Sequence, residues 1–148
     1  MFFKEVDILL KSAIKLDEDK AWFFSVDNGV KETVIKLNTI DQLFDRGVDS
    51  LNKSLGEYSG FTVEEKKRKG QKYTNITLKD SGAFYKTFKI EVTKNEIIIN
   101  ANPIKDDDNL FDNFGMQIVG LTDQNTLRVC ELILQNMIIY VKKQLKIL

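Results

Sequence analysis

The sequence predicts an α+β fold: amphipathic helices packed on one side of a small antiparallel β-sheet, with a long polar loop and a long C-terminal helix. Three observations predict it. Apolar residues recur at spacings of three and four near both ends of the chain, the spacing switches to two between residues 88 and 101, and periodicity lapses between residues 49 and 73. With 148 residues, 43% of them hydrophobic and ten of them Phe, the chain is long enough for one domain with its own core.

Residues 1–47 read as helices. Phe2, Phe3, Val6, Leu9, Leu10, Ala13 and Ile14 form an apolar stripe, with Lys4, Asp7, Lys11 and Lys15 opposite and Ile8 off the stripe. The expected helix runs to about Leu16 and ends at the charged run Asp17 to Lys20. Trp22, Phe23 and Phe24 mark either the start of a second helix or an aromatic knot between two helices. Asp27 or Asn28 can cap a helix carrying Val30, Val34, Leu37, Ile40 and Phe44, with Gly47 as its stop.

Residues 48–75 read as a long basic loop, punctuated by Gly56, Gly60 and Gly70 and by the turn formers Ser54, Ser59 and Thr62. Thr62 followed by Glu64, Glu65 and Lys66 offers one short helical turn. Residues 76–103 hold a turn and a β-hairpin. Asp80-Ser81-Gly82 makes the turn, and the glycine lets one or two rings of Phe84, Tyr85 and Phe88 drop onto the sheet. Phe88, Ile90 and Val92 alternate with Lys89, Glu91 and Thr93, the chain turns at Lys94-Asn95-Glu96, and Ile97 to Ala101 returns before Pro103.

Residues 104–148 give a short helix and then a long one. Asp106, Asp107 and Asp108 precede Leu110, Phe111 and Phe114, where a helix start favours negative charge. Thr122 is placed to cap the terminal helix, whose expected inner face is Leu127, Cys130, Leu134, Met137, Val141 and Leu145. Ile133, Ile138 and Ile139 widen that face, so the helix is expected either well buried or against a neighbouring subunit.

Composition narrows the chemistry. The chain has no histidine, which removes the commonest general base and metal ligand. A single cysteine, Cys130, excludes an internal disulfide and a cysteine-based zinc site, and its place on the helical stripe predicts a packing role. Ser81 lacks the second glycine of a nucleophile elbow, and Gly115 and Gly120 lack the pattern of a phosphate loop. Asp106 to Asp108 with Asp112 lack the alternating spacing and central glycine of a calcium loop. The expectation is a protein without enzymatic activity, metal or cofactor. No run reaches the roughly 18 apolar residues that cross a bilayer, so a soluble protein with no membrane partner is expected.

Lys and Arg total 22, equal to Asp and Glu, so any electrostatic role is local. The local candidate is Lys66, Lys67, Arg68 and Lys69 with Lys72 and Tyr73. Three readings stay open: contact with phosphate, contact with an acidic partner surface, and a solvated loop partly neutralised by Glu64 and Glu65. Single-stranded nucleic acid asks for stacking aromatics as well, and only Tyr58 and Tyr73 interleave with these cations.

The order of the motifs resembles a known family. Tyr58, Ser59, Thr62 and Lys66 lie upstream of a Leu-x-Asp-Ser-Gly-x-Phe phrase at Leu78, Asp80, Ser81, Gly82 and Phe84. The hairpin follows, then Phe114-Gly115, Gly120-Leu121-Thr122 and the terminal helix. This is similar to the virion-morphogenesis and tail-completion proteins of tailed bacteriophages, in which a Leu-x-Asp-Thr-Gly-x-Leu phrase precedes the hairpin and a basic mobile loop lies upstream. The resemblance covers roughly residues 51–148. Ser81 stands where threonine is usual, and no histidine or tyrosine directly precedes Phe114-Gly115.

The resemblance implies a structural virion protein made in the bacterial host cytoplasm. It would be a head–tail connector or tail-completion subunit that forms a homo-oligomeric ring at the portal–tail junction. Its partners would be portal or adaptor and tail proteins, with DNA passing through the channel. The alternative is a small nucleic-acid-associated accessory protein that places the same lysines on phosphate.

Overall fold

The computed structural model describes the backbone of residues 2–147 and the side chains of residues 4–147. The architecture is α+β, with two small antiparallel sheets and a long C-terminal helix. Helix α1 spans Phe2–Ile14, α2 Glu18–Ser25 and α3 Asn28–Lys36. The side chains expected from Phe2 and Phe3 lie outside the described residues, as does Leu148. Asp17, expected to end the first helix, instead caps α2 by accepting from the Lys20 N–H at 3.1 Å. Trp22, Phe23 and Phe24 therefore sit within a second helix. Asp27 caps α3, accepting from the Val30 N–H at 2.9 Å.

From α3 the chain continues without a break into a π-helical segment, Leu37–Arg46. The sequence gives its physical reason. Val30, Val34, Asn38 and Gln42, four residues apart, are all buried. In an α-helix of about 3.6 residues per turn such a stripe drifts around the axis. Bonding from i to i+5 widens the turn and keeps Asn38 and Gln42 on the inner face. Gly47 ends the segment at φ 61, and a Cβ there would meet Asn75 Nδ2 at 2.6 Å.

Helix α4, Gly60–Arg68, occupies the middle of the expected loop, and α5, Ala83–Lys86, follows the Asp-Ser-Gly turn. Strands β1, Lys89–Val92, and β2, Ile97–Asn100, form the expected hairpin, with Ile90 opposite Ile99 and Val92 opposite Ile97. A second, two-residue pairing joins β3, Ile104–Lys105, to β4, Asp108–Asn109. Asp106 takes a left-handed conformation at that turn, and Asn109 rather than an aspartate caps α6, Leu110–Phe114. Of the acids expected in the first turn of that helix, Asp106 and Asp107 belong to the turn between the strands and Asp108 to β4, and only Asp112 lies in the helix. Helix α7, Asp123–Leu145, is capped by Thr122 as the sequence predicts.

Two apolar cores hold these elements together. Leu43, Phe84, Phe88, Leu110 and Ile118 form one, and Val26, Val30, Val34 and Val129 form the other. Ile99 packs against both, so β2 links them. Each such side chain contributes on the order of 1.5–3 kcal/mol when fully buried. Trp22 Nε1 donates to Thr93 O at 2.7 Å, and Asn136 Nδ2 donates to Ser25 O at 3.0 Å, tying α2 to the hairpin and to α7.

The rotation of α7 differs from the expected one. Asn125, Val129 and Tyr140 are buried, whereas Leu127 is 64% and Leu134 57% exposed, and Cys130 faces solvent rather than the core. This helix is apolar on two sides, and spacing alone cannot choose between them. The hydrogen bonds of the buried Asn125 and the half-buried Asn136 agree with the observed side. Among the described residues no helix is long and apolar enough to cross a membrane.

Candidate functional site

The basic run is the C-terminal turn of a helix. Ser59 caps α4 by accepting from the Thr62 N–H at 3.3 Å, and Lys66, Lys67 and Arg68 fall in the last turn, where the helix dipole favours cations. The expected structureless loop therefore contains more than two turns of helix. Its hidden anchor is Lys66. This residue is only 8% exposed, and its Nζ donates to Gln71 Oε1 at 3.3 Å and to Lys79 O at 3.2 Å. The same ammonium lies 4.8 Å from the centroid of the Tyr58 ring.

The remaining basic residues are engaged to different degrees. Lys67 pairs with Glu64 at 3.1 Å and lies 5.2 Å from the centroid of the exposed Tyr73 ring. Lys69 reaches Asp80 Oδ1 at 3.9 Å. Lys72 donates to the carbonyls of Phe44 and Asp45 at 2.8 and 2.7 Å. These are carbonyls near the end of the π segment, so Lys72 serves as a cap. Arg68 is exposed and makes no ion pair among the described residues.

The Leu-x-Asp-Ser-Gly-x-Phe phrase is a folding device that also walls a cleft. Leu78 takes φ 53 and Gly82 φ 82, the two left-handed positions that reverse the chain into α5. Ser81 Oγ accepts from the Ala83 N–H at 3.3 Å, and Phe84 enters the core against Phe88, their ring centroids 5.2 Å apart. Thr77, fully enclosed, takes a hydrogen bond from Tyr85 Oη on its carbonyl and gives its own N–H to Tyr58 Oη at 3.0 Å. Burial pushes the Tyr85 phenol far above its ordinary pKa, with Tyr58 and Asp45 adding to the shift.

Together these segments line an open cleft of about 520 Å3, where Lys66, Lys69, Asp80 and Lys105 meet the apolar Leu78 and Phe114. Asp80 is its electrostatic centre. A hydrogen bond from Gln71, aided by Lys69, Lys105 and Lys66, holds its carboxyl below the usual carboxylate range despite partial desolvation. Lys69 and Lys105 thus face a carboxylate of the fold itself, exposed as it is, which leaves fewer free charges for an incoming phosphate.

Sequence reasoning did not single out a second polar cluster, which the structure places between the π segment and α7. Asn38 Nδ2 donates to Ile118 O at 3.0 Å while its Oδ1 accepts from the Gly120 N–H at 2.8 Å. Gln42, four residues after Asn38, meets main-chain groups two residues further on, donating to Gly120 O and accepting from the Thr122 N–H, both at 2.9 Å. Two side-chain amides thus act as a surrogate strand for residues 118–122. Asp41, beside them, is pushed up by burial. Hydrogen bonds from Asn125 and Arg46 outweigh this, and its carboxyl lies below the usual range. The signal for this cluster was present as Asn and Gln on an otherwise apolar stripe.

Asp108 accepts from Asn113 Nδ2 at 2.9 and 3.0 Å, and no group of three ligating side chains could hold a metal among the described residues. Cys130, expected in the core, instead lines an apolar groove between β2 and α7. Comparison with protein-family models, with curated proteins and with solved structures finds no match to this chain.

Proposed function

We propose that this chain is a non-catalytic structural subunit that closes into a ring with further copies of itself, at the head–tail junction of a tailed-bacteriophage particle. The observation that carries the self-association is the set of apolar side chains that three helices leave in water. They are Ile8, Leu10 and Ile14 on α1, Phe23 on α2, and Leu134 and Ile138 on α7, among others. Helices α1 and α2 both pack on α7, so these residues lie on three neighbouring helices, with Leu134 also at the groove against β2. Single exposed apolar residues need no explanation, and it is their number on three neighbouring helices that supports a contact between copies. A second copy covers it, and a ring follows when the contact is head-to-tail and the rotation closes.

The order of motifs from Tyr58 to Thr122 supports the particle assignment, with portal or adaptor and tail proteins as the further partners. The phosphate-binding alternative has less to draw on. Lys66 and Lys72 are used within the fold, and Lys67 is paired with Glu64. Light scattering across a concentration series, followed by negative-stain electron microscopy, tests the reading. Closed rings are the expected result, and a chain that stays monomeric throughout overturns it. Mass spectrometry of purified virions tests the location separately.

A further inference from the structure

Strand β2 is an edge whose outward main chain has no partner among the described residues. The Thr93 N–H donates to Glu96 O at 3.0 Å across the hairpin turn. Hydrogen-bonded pairs alternate along an antiparallel ladder, so the next ones fall at Glu91–Ile98 and Lys89–Asn100 in the observed register. Ile97 and Ile99 therefore point their N–H and C=O groups away from β1, and among the described residues nothing outside the hairpin bonds to them.

A second unpaired edge borders the same space. Ile118, Gly120 and Thr122 turn main-chain groups toward Asn38 and Gln42. Val119 and Leu121, between them, face the opposite way, and among the described residues the Val119 carbonyl and both main-chain groups of Leu121 take no partner. Both edges line one groove of about 730 Å3, with Val129, Cys130 and Ile133 of α7 also on its walls. Among the described residues that line it, Glu96 at the hairpin end is the one that carries a charge.

We infer that this groove takes an extended segment of a partner protein as an added strand on β2. The occupant is uncharged within the groove, apolar at alternate residues to meet α7, and carries a basic residue at the end that lies against Glu96. A helix would satisfy none of the outward groups of Ile97 and Ile99, because its own main chain is already bonded internally. A strand satisfies them and supplies side chains at the two-residue spacing that an apolar wall on one side selects. The inference stands whether or not the chain also builds a ring.

The test is a titration of the isotopically labelled chain with the synthetic peptide acetyl-Lys-Val-Thr-Val-Thr-Val-Thr-amide, read by amide NMR shifts. Saturable shifts at Ile97, Ile99 and Leu121 are expected, with a dissociation constant below about 1 mM. The same peptide N-methylated at its valines should bind at least about tenfold more weakly, since it has lost the donors that pair with the edge. Ile99→Pro removes an outward N–H without touching the β1–β2 ladder and should weaken binding by a similar factor. If that variant unfolds, the N-methylated peptide still decides the matter with the native chain. Glu96→Lys should reverse the preference toward a peptide ending in glutamate.

Equal binding of the methylated peptide, or no saturable shift, overturns the inference. Concentration-dependent shifts at the same amides without peptide would place a second copy in the groove and overturn the partner assignment.

Discussion

The carboxamide of Asn125 donates to Gln42 Oε1 at 2.9 Å, and both side chains are fully buried. The same Gln42 oxygen takes the Thr122 N–H, and its nitrogen serves Gly120 O, so one side chain closes the joint between the π segment and the start of α7. Gln42→Ala would strand these groups in a space too enclosed for ready hydration. A loss of about 3–5 kcal/mol is expected, combining a cavity with unsatisfied polar groups. Asn125→Ala should cost less, because Gln42 keeps its two main-chain bonds. Urea unfolding of both variants and their double mutant checks this, and a coupling of about 0.5–3 kcal/mol is expected if the two act as a unit. Simple additivity would contradict the joint.

Lys66 and Arg68 stand two residues apart on α4 and should behave oppositely. Lys66→Ala removes donors from Gln71 and from the Lys79 carbonyl, and also the apolar stem that fills the wall of the cleft. It should destabilise the fold by about 1–3 kcal/mol. Arg68→Ala, at an exposed site with no ion pair among the described residues, should change stability by less than about 0.5 kcal/mol. If Arg68 serves an assembly contact, its variant alone separates folding from assembly. Deleting residues 64–71 cannot do so, because the deletion takes Lys66 and Gln71 with it. Thermal unfolding of the two point variants decides; equal effects would remove the distinction.

The contrast between those two residues also shows what a sequence can convey. Periodicity placed α3, the hairpin and α7 because each buries a regular stripe, and Asp27, Gly47 and Thr122 announced the ends through their capping chemistry. It could not show that Lys66 is buried. A lysine's burial depends on acceptors from Gln71 and Lys79, five and thirteen residues away, which only the folded chain brings together. The rotation of α7 was illegible for a related reason. Leu127 and Leu134 are as apolar as Val129 and Ile133, and the hydrogen bonds of Asn125 and Asn136 that agree with the observed side do not show in the spacing. The phrase from Leu78 to Phe84 was visible as a pattern, while its task, turning Phe84 into the core beside a cleft, was not.

Acid should expose the contribution of Asp80. Its folded-state carboxyl is held low by the Gln71 hydrogen bond and by Lys69 and Lys105. A depressed folded pKa stabilises the fold fully above the ordinary value of 3.8, and that stabilisation is lost as pH falls through the lower folded value. Asp80→Asn should therefore melt below the native chain at neutral pH, with the gap closing as pH drops from about 5 to about 2. Because Asp80 is largely solvated, the effect should be small and should shrink further in high salt. A melting-temperature gap that does not change with pH would show that the substitution acts through shape, not charge.

The exposed side of α7 offers a direct probe of self-association. Ile138 is 46% and Leu134 57% exposed, so replacing either should leave both cores intact. Leu134→Glu and Ile138→Glu should each shift stability by less than about 1 kcal/mol, since neither side chain is fully withdrawn from water in the monomer. In an apolar contact between copies the same glutamates would be desolvated without a partner. Association should then weaken by at least about 2 kcal/mol, roughly thirtyfold in the dissociation constant. Light scattering of the two variants beside the native chain measures this. Variants that associate as the native chain does would place the contact elsewhere, on α1 or the cleft face, and leave the apolar side of α7 without a role in assembly.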